Sequence, residues 1–263
     1  MSISPDYTHF IGWDVGGWNC DKNEKSRDAM VVLDASGQFV GKIKWGNVAQ
    51  SIQHSDTASD WIKHQLRQCT NAADIPETFH ALLAIDAPLG FPQALSNLMS
   101  GESRPCLNTK HGFNPYLFRY TETELYQRGI ASPLSAVKDM IGSQATKAMH
   151  MIAKFRLKRV STGVWQDCFV QPCLTVIETY PAAFVANNPF INLTERFATV
   201  GIQDWNKDEI DALHCAWVAR LFATERASFR NPTQEVPDSE GWIWFPEDNS
   251  RLVTESLTAT LDA

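Results

Sequence analysis

The chain has 263 residues, of which 44% are hydrophobic and 20% charged, with 23 Lys and Arg against 30 Asp and Glu for a formal net charge of −7. That length buries a substantial core in one elaborated domain, and the composition is neither disordered nor fibrous. The negative balance excludes the broad positive field of a protein that coats nucleic acid nonspecifically, so a nucleic-acid substrate requires a local basic surface.

The opening MSISPDYTHF has neither a basic n-region nor an apolar h-region. No later stretch approaches the roughly 20 apolar residues of a spanning helix, so a cytoplasmic chain with no membrane partner is expected. Three strand-like runs follow: His9 to Val15, Ala29 to Ala35 and Phe39 to Trp45. Ser36, Gly37 and Gln38 join the last two, which predicts an antiparallel meander. A helix is predicted over Thr57 to Cys69, where Trp61, Ile62, Leu66 and Cys69 recur at helical spacing. The near-continuous apolar run from His80 to Asp86 then suits a strand buried on both faces. Strand, strand, strand, helix, strand is the order of a mixed α/β sheet with one crossover helix.

From Phe91 to Ser135 periodicity fades among Pro92, Pro105, Gly112, Pro115 and Pro133, a length that points to an insertion near a site. A helix is predicted over Ala136 to Lys158, a strand over Leu174 to Glu178, and a long helix over Asn206 to Arg226. The tail reads as a hairpin, with arms Trp242 to Phe245 and Arg251 to Thr254 around a turn at Glu247 to Ser250. The expected whole is one domain with a central sheet of about five strands. Cys20, Cys69, Cys106, Cys168, Cys173 and Cys215 form no CxxC pair and read as reduced, mostly buried thiols.

Three acidic residues terminate apolar, strand-like runs: Asp14 in FIGWD, Asp86 in LLAID and Glu178 in LTVIE. The carboxyl ends of strands in an open α/β sheet are where ligands bind, so the three are expected to converge on one edge. Taken singly, each is equally well a helix cap or a turn residue. Asp208 and Asp211 of KDEIDALHCAW are three apart, on one face of a predicted helix near its N-terminus, where the helix dipole also favours acids. Glu209 between them points elsewhere. Gathered carboxylates are costly without a cation, and hard oxygen donors suit Mg²⁺ or Mn²⁺ rather than zinc. Such a pair of ions activates water and stabilises the leaving oxygen of a phosphodiester.

Gly16 and Gly17 after Asp14 allow close approach of backbone to a phosphate or metal, or simply make a tight turn. The basic run Lys147, Lys154, Arg156, Lys158 and Arg159 is either a phosphate contact or a solvated helix face, and Arg119 and Lys138 flank the insertion. His111, His150 and His214 read first as structural or exposed side chains, and as a proton carrier His214 is the best placed, one turn after Asp211.

Together IGWDVGG, AIDAPLGFP, FRYTETELYQRG with SPLSAVKDMIG, VIETYPAAF and KDEIDALHCAW resemble the predicted-nuclease family described as domain of unknown function 429, in order from about Ile11 to Ala219. The resemblance implies a ribonuclease H-like fold with Asp14 as the first-strand metal ligand and Asp86 as the acid of the later strand. Asp208 and Asp211 match the aspartates of the final helix, which is similar to the last catalytic helix of Holliday-junction resolvases. Glu178 is then a metal ligand or its support, and Arg119 a phosphate or carboxylate partner. A divalent-metal-dependent nuclease is the implied activity, although the acidic chain lacks the general basic surface of resolvases. Two alternatives remain open: an actin-like or sugar-kinase-like phosphotransferase, for which no late Asp-Gly-rich turn is found, and a noncatalytic binding module on the same fold.

Overall fold

The structure is a computed structural model that describes residues 7–22, 27–42, 46–70, 75–102, 113–167, 173–185 and 193–247. Among the described residues, eight strands form one mixed sheet: β1 (His9–Asp14), β2 (Ala29–Asp34), β3 (Phe39–Lys42), β4 (Ala81–Asp86), β5 (Lys158–Ser161), β6 (Val164–Gln166), β7 (Leu174–Thr179) and β8 (Ile243–Trp244). Their spatial order is β3-β2-β1-β4-β7-β6-β5. The meander β1-β2-β3 is antiparallel, whereas β4 lies parallel to β1 and β7 parallel to β4. Beyond β7 the sheet divides. Its first part pairs with β6 and its last two residues pair in parallel with β8.

The helices in chain order are α1 (Ala49–His54), α2 (Ala58–Thr70), α3 (Gln93–Met99), α4 (Tyr120–Gln127), α5 (Gly142–Lys154), α6 (Ala182–Val185), α7 (Leu193–Arg196) and α8 (Lys207–Thr224). Alternation along the strands sorts the core into two layers. Phe10, Leu82, Ala84 and Ile177 face α8, while Ile11, Trp13, Leu83, Ile85 and Val176 face α2 and α5. With both faces covered, β4 has five buried residues in succession, which explains its unbroken apolar run. None of the described helices is long and apolar enough to cross a membrane.

The five strands expected of the central sheet are present, and β8, within the expected arm Trp242 to Phe245, joins them together with the unexpected β5 and β6. The helix expected over Ala136 to Lys158 is shorter. Its N-terminal part is a turn in which Asp139 accepts from the Ser135 amide at 2.8 Å and the Ser135 hydroxyl accepts from the amides of Val137 and Lys138. At the other end Arg156 takes a left-handed φ of 53°, and the Leu157 amide donates back to the Ile152 carbonyl. That is a Schellman-type stop made without glycine. The chain so released forms the β5-β6 hairpin. At the tail, Ile243–Trp244 pairs with β7, and the expected return arm Arg251 to Thr254 lies outside the described residues. Cys20, Cys69, Cys173 and Cys215 are free thiols, with Cys106 and Cys168 outside the described residues.

Candidate active site

Asp14 and Asp86 are the last residues of β1 and β4, and the parallel register sets them directly opposite one another. Paired residues of parallel neighbours point to the same face, here the α8 face. Helix α8 is admitted closely because β1 carries Gly12 on that face. A Cβ there would stand 1.9 Å from the Ala212 carbonyl oxygen and 2.3 Å from the Ala216 amide nitrogen. The helix begins at a capping box, in which Asn206 accepts from the Glu209 amide and Glu209 from the Asn206 amide. Its first two turns carry Asp208 and Asp211 to the strand ends.

Asp14, Asp86, Asp208 and Asp211 line one pocket of about 540 Å³. Burial pushes the Asp14 carboxyl well above the usual range, with further upward pressure from Asp86, Asp208, Asp211 and Asp28. Asp86 is pushed up to about 8 by burial, then by Asp211 and Glu178, against a small opposing effect of Lys207. Asp211 is raised by burial and Asp208, with Lys207 opposing from 3.9 Å. Asp208 also accepts the Arg27 amide at 3.2 Å. The four carboxylates act on one another electrostatically as a group.

Glu178 lines the same pocket from the other side of the sheet. It is opposite Ile85 in the register, one residue out of step with Asp86, and so faces away from α8. Both its oxygens are engaged: Arg119 donates to them from Nη2 at 2.6 Å and Nη1 at 2.8 Å, and the Leu89 amide donates at 2.9 Å. Arg119, 1% exposed, also donates to Glu122 Oε1 at 2.9 Å and to the Glu240 carbonyl at 2.9 Å. Burial would lower this guanidinium, but the charges of Glu178 and Glu122 outweigh that and hold it above its ordinary range. Of the two roles the sequence left to Glu178, the geometry is that of support. Arg119 is committed to carboxylates and not to an incoming phosphate.

The other candidate residues take the following places. The Gly16 amide donates to Asp28 Oδ1 at 2.9 Å, and a Cβ on Gly16 would strike Arg27, Asp28 and Cys20 within 2.8 Å. This glycine permits close packing against Arg27 and Asp28, just before β2, and its amide is taken up by Asp28. Gly17 faces the Ser143 side chain, with a Cβ position 3.0 Å from its hydroxyl oxygen. Lys147 is neither a phosphate contact nor a solvated face. It is fully buried, with Nζ 2.6 Å from Asp28, which also accepts from Trp13 Nε1 and the Val48 amide. Lys138 is exposed outside the acidic pocket, 5.5 Å over the Phe118 ring. His150 packs edge-on to Trp18, and His214 Nδ1 lies 3.0 Å from the Ile210 carbonyl, its pKa lowered mainly by burial. His111 lies outside the described residues.

Three pocket residues carried no signal strong enough to be singled out from the sequence. Tyr180 lines the pocket with its phenol raised by burial, Asp86 and Asp211. Thr179, 2% exposed, and Gln144 also line it, and the Thr179 hydroxyl and Gln144 Oε1 are buried without a hydrogen-bond partner among the described residues. Buried polar atoms are nearly always satisfied, so two orphans in the lining of one pocket point to a polar ligand there.

Among the described residues, no group of three or more His, Cys, Asp or Glu side chains is arranged to hold a metal ion as it stands. The donor chemistry, four carboxylates on one pocket beside orphaned oxygens, nevertheless suits a hard cation. Compared with known proteins, the sequence matches no family model, no curated protein and no solved structure.

Proposed function

We propose that this protein is a divalent-metal-dependent phosphodiester hydrolase acting on nucleic acid, with its reaction centre in the acidic pocket. The observation that carries the reading is the alignment of Asp14 and Asp86 at neighbouring strand ends on the face where α8 delivers Asp208 and Asp211. An antiparallel meander followed by strands parallel to the first agrees with the ribonuclease H-like arrangement implied by the resemblance to the predicted-nuclease family.

Asp14, Asp86 and Asp211 would hold Mg²⁺ or Mn²⁺, and the bound cations would supply an activated water and charge stabilisation at the leaving oxygen. Among the described residues no ligand set is closed beforehand, and cation binding would draw the carboxylates together. The residues of the chain do the rest. Asp14 and Asp86 lose the protons that burial and repulsion favour, so cation binding releases protons. Asp208, held by the Arg27 amide, stays at the rim and contributes charge. Glu178, fixed by Arg119, walls the pocket from below, and Thr179 and Gln144 offer oxygens to water or substrate.

Isothermal titration with Mn²⁺ tests the reading. Wild type is expected to bind, Asp14→Asn and Asp86→Asn to lose binding, and Asp211→Ala to weaken it more than Asp208→Ala. Mn²⁺-dependent cleavage of labelled oligonucleotides should disappear with Asp14→Asn. Equal affinity across these variants, or no binding by wild type, removes the metal from the site.

A further inference from the structure

A second, larger cavity of about 1150 Å³ adjoins the acidic pocket and shares Arg119, Pro133 and Leu134 with it as a common wall. Its lining differs in kind. Phe113 stands between two other rings, 4.8 Å from Phe118 at 68° and 4.6 Å from Tyr126 at 57°. All three are at least partly open to solvent, and Tyr126 is 52% exposed. Lys138 reaches over Phe118 from the rim. Of the acids of this cavity, Asp139 accepts from the Ser135 amide and Glu240 from the amides of Gln93 and Tyr120, while Glu235 is exposed at the rim, 3.4 Å from the Tyr120 hydroxyl. Besides these carboxylates, the open space is faced by aromatic surface with the Lys138 ammonium at its rim, while Arg119 is taken up by Glu178 and Glu122.

We propose that this trough is a subsite for the unpaired nucleotides of a single-stranded nucleic acid, stacking bases on Phe118 and Tyr126 and setting a phosphate against Lys138. The inference rests on the hydrolase reading and narrows its substrate to strands whose bases are free. Base faces match aromatic rings irrespective of sequence, and a phosphate matches the ammonium. The cavity exceeds what a drug-sized molecule fills, so it accommodates more than one nucleotide. The shared lining residues set the trough beside the pocket of Asp14 and Asp86. A duplex buries its base faces in its own stack and has nothing to offer these rings. Local recognition of this sort is also what an acidic chain requires, since its net charge of −7 repels polyanions overall.

Fluorescence anisotropy with labelled oligothymidylate and oligouridylate, at low salt in EDTA, tests the subsite apart from metal chemistry. Wild type is expected to bind both strands and to be poorly competed by duplex DNA. Tyr126→Ala should weaken binding by about tenfold and Tyr126→Phe should restore it, because the ring and not the hydroxyl is used. Lys138→Ala should reduce the slope of log affinity against log salt by about one. Both side chains are exposed, so unchanged melting curves are expected to accompany these losses. Wild-type affinity in Tyr126→Ala and Lys138→Ala, or no single-strand binding by wild type, overturns the proposal. So does a dimer that Tyr126→Ala dissolves, which would make the trough a subunit surface. Mn²⁺ titration keeps the two readings distinguishable: strand binding without Mn²⁺ binding sinks the hydrolase, and Mn²⁺ binding with no strand binding sinks the subsite.

Discussion

Asp86 is where burial and charge act in the same direction. Its carboxyl lies at about 8 when folded, against about 3.9 in an unfolded chain. Between those values the folded protein holds a proton that the unfolded protein has released. The stability contributed by the protonated group is complete below about pH 4 and is lost as pH rises through about 8. Metal-free protein should therefore become less stable from pH 5 to pH 8, and Asp86→Asn, an uncharged isostere, should flatten the dependence. At pH 8 the variant is expected to gain about 1 kcal/mol or more, a rise in melting temperature of about 2–4 °C per kcal/mol. Melting curves in EDTA at both pH values check this. An unchanged slope would show that Asp86 does not carry the proton, whereas Mn²⁺ should stabilise wild type most at the higher pH.

At the scale of elements, the site depends on how near α8 lies to β1, and Gly12 sets that distance. Gly12→Ala cannot be absorbed by a flexible side chain, because the added methyl meets the helix backbone. The helix must withdraw, at a cost of about 1–3 kcal/mol or more. Asp211 moves with it. Urea denaturation should report the lost stability, and Mn²⁺ titration below the transition should report weakened binding; parental affinity would separate helix position from the site. The carboxylates at the strand ends and the helix carrying Asp208 and Asp211 were legible because apolar runs stop at acids and i,i+3 spacing fixes a helix face. Glu178 was not separable from Asp14 and Asp86 on that ground. Strand register, not the residue pattern, turns it to the other face. Lys147 likewise sits in a basic run whose members look alike until Asp28 is found beside it. Glu209, expected to do little, points away from the pocket but closes the capping box and pairs with Lys42, so it belongs to the helix start. Gly12 gave no sign, since close helix approach is a contact between segments about 200 residues apart in sequence.

Across the whole molecule, the sheet separates two tasks. Its α8 face gathers carboxylates whose mutual repulsion is relieved by protons or cations, and its other face holds a buried ion network that joins distant parts of the chain. Arg119 introduces α4, grips Glu178 on β7 and takes the Glu240 carbonyl just before β8. It is also part of the wall between the acidic pocket and the aromatic trough. The same side chain therefore fixes the insertion, the sheet and the C-terminal strand in one arrangement. Arg119→Met leaves Glu178 and Glu122 buried without their cation, and removing one partner of a buried pair costs about 3–5 kcal/mol. The double variant Arg119→Met/Glu178→Gln removes one of the stranded charges and should recover part of that loss. Chemical denaturation of the two variants and wild type forms the test. If the network is only local, Arg119→Met lowers stability but leaves Mn²⁺ and oligothymidylate binding intact in the folded fraction. If it aligns the three segments, both affinities fall together, and the double variant regains stability before it regains either ligand. The second outcome is expected, because Arg119 touches neither proposed ligand yet stands in the wall that both cavities share.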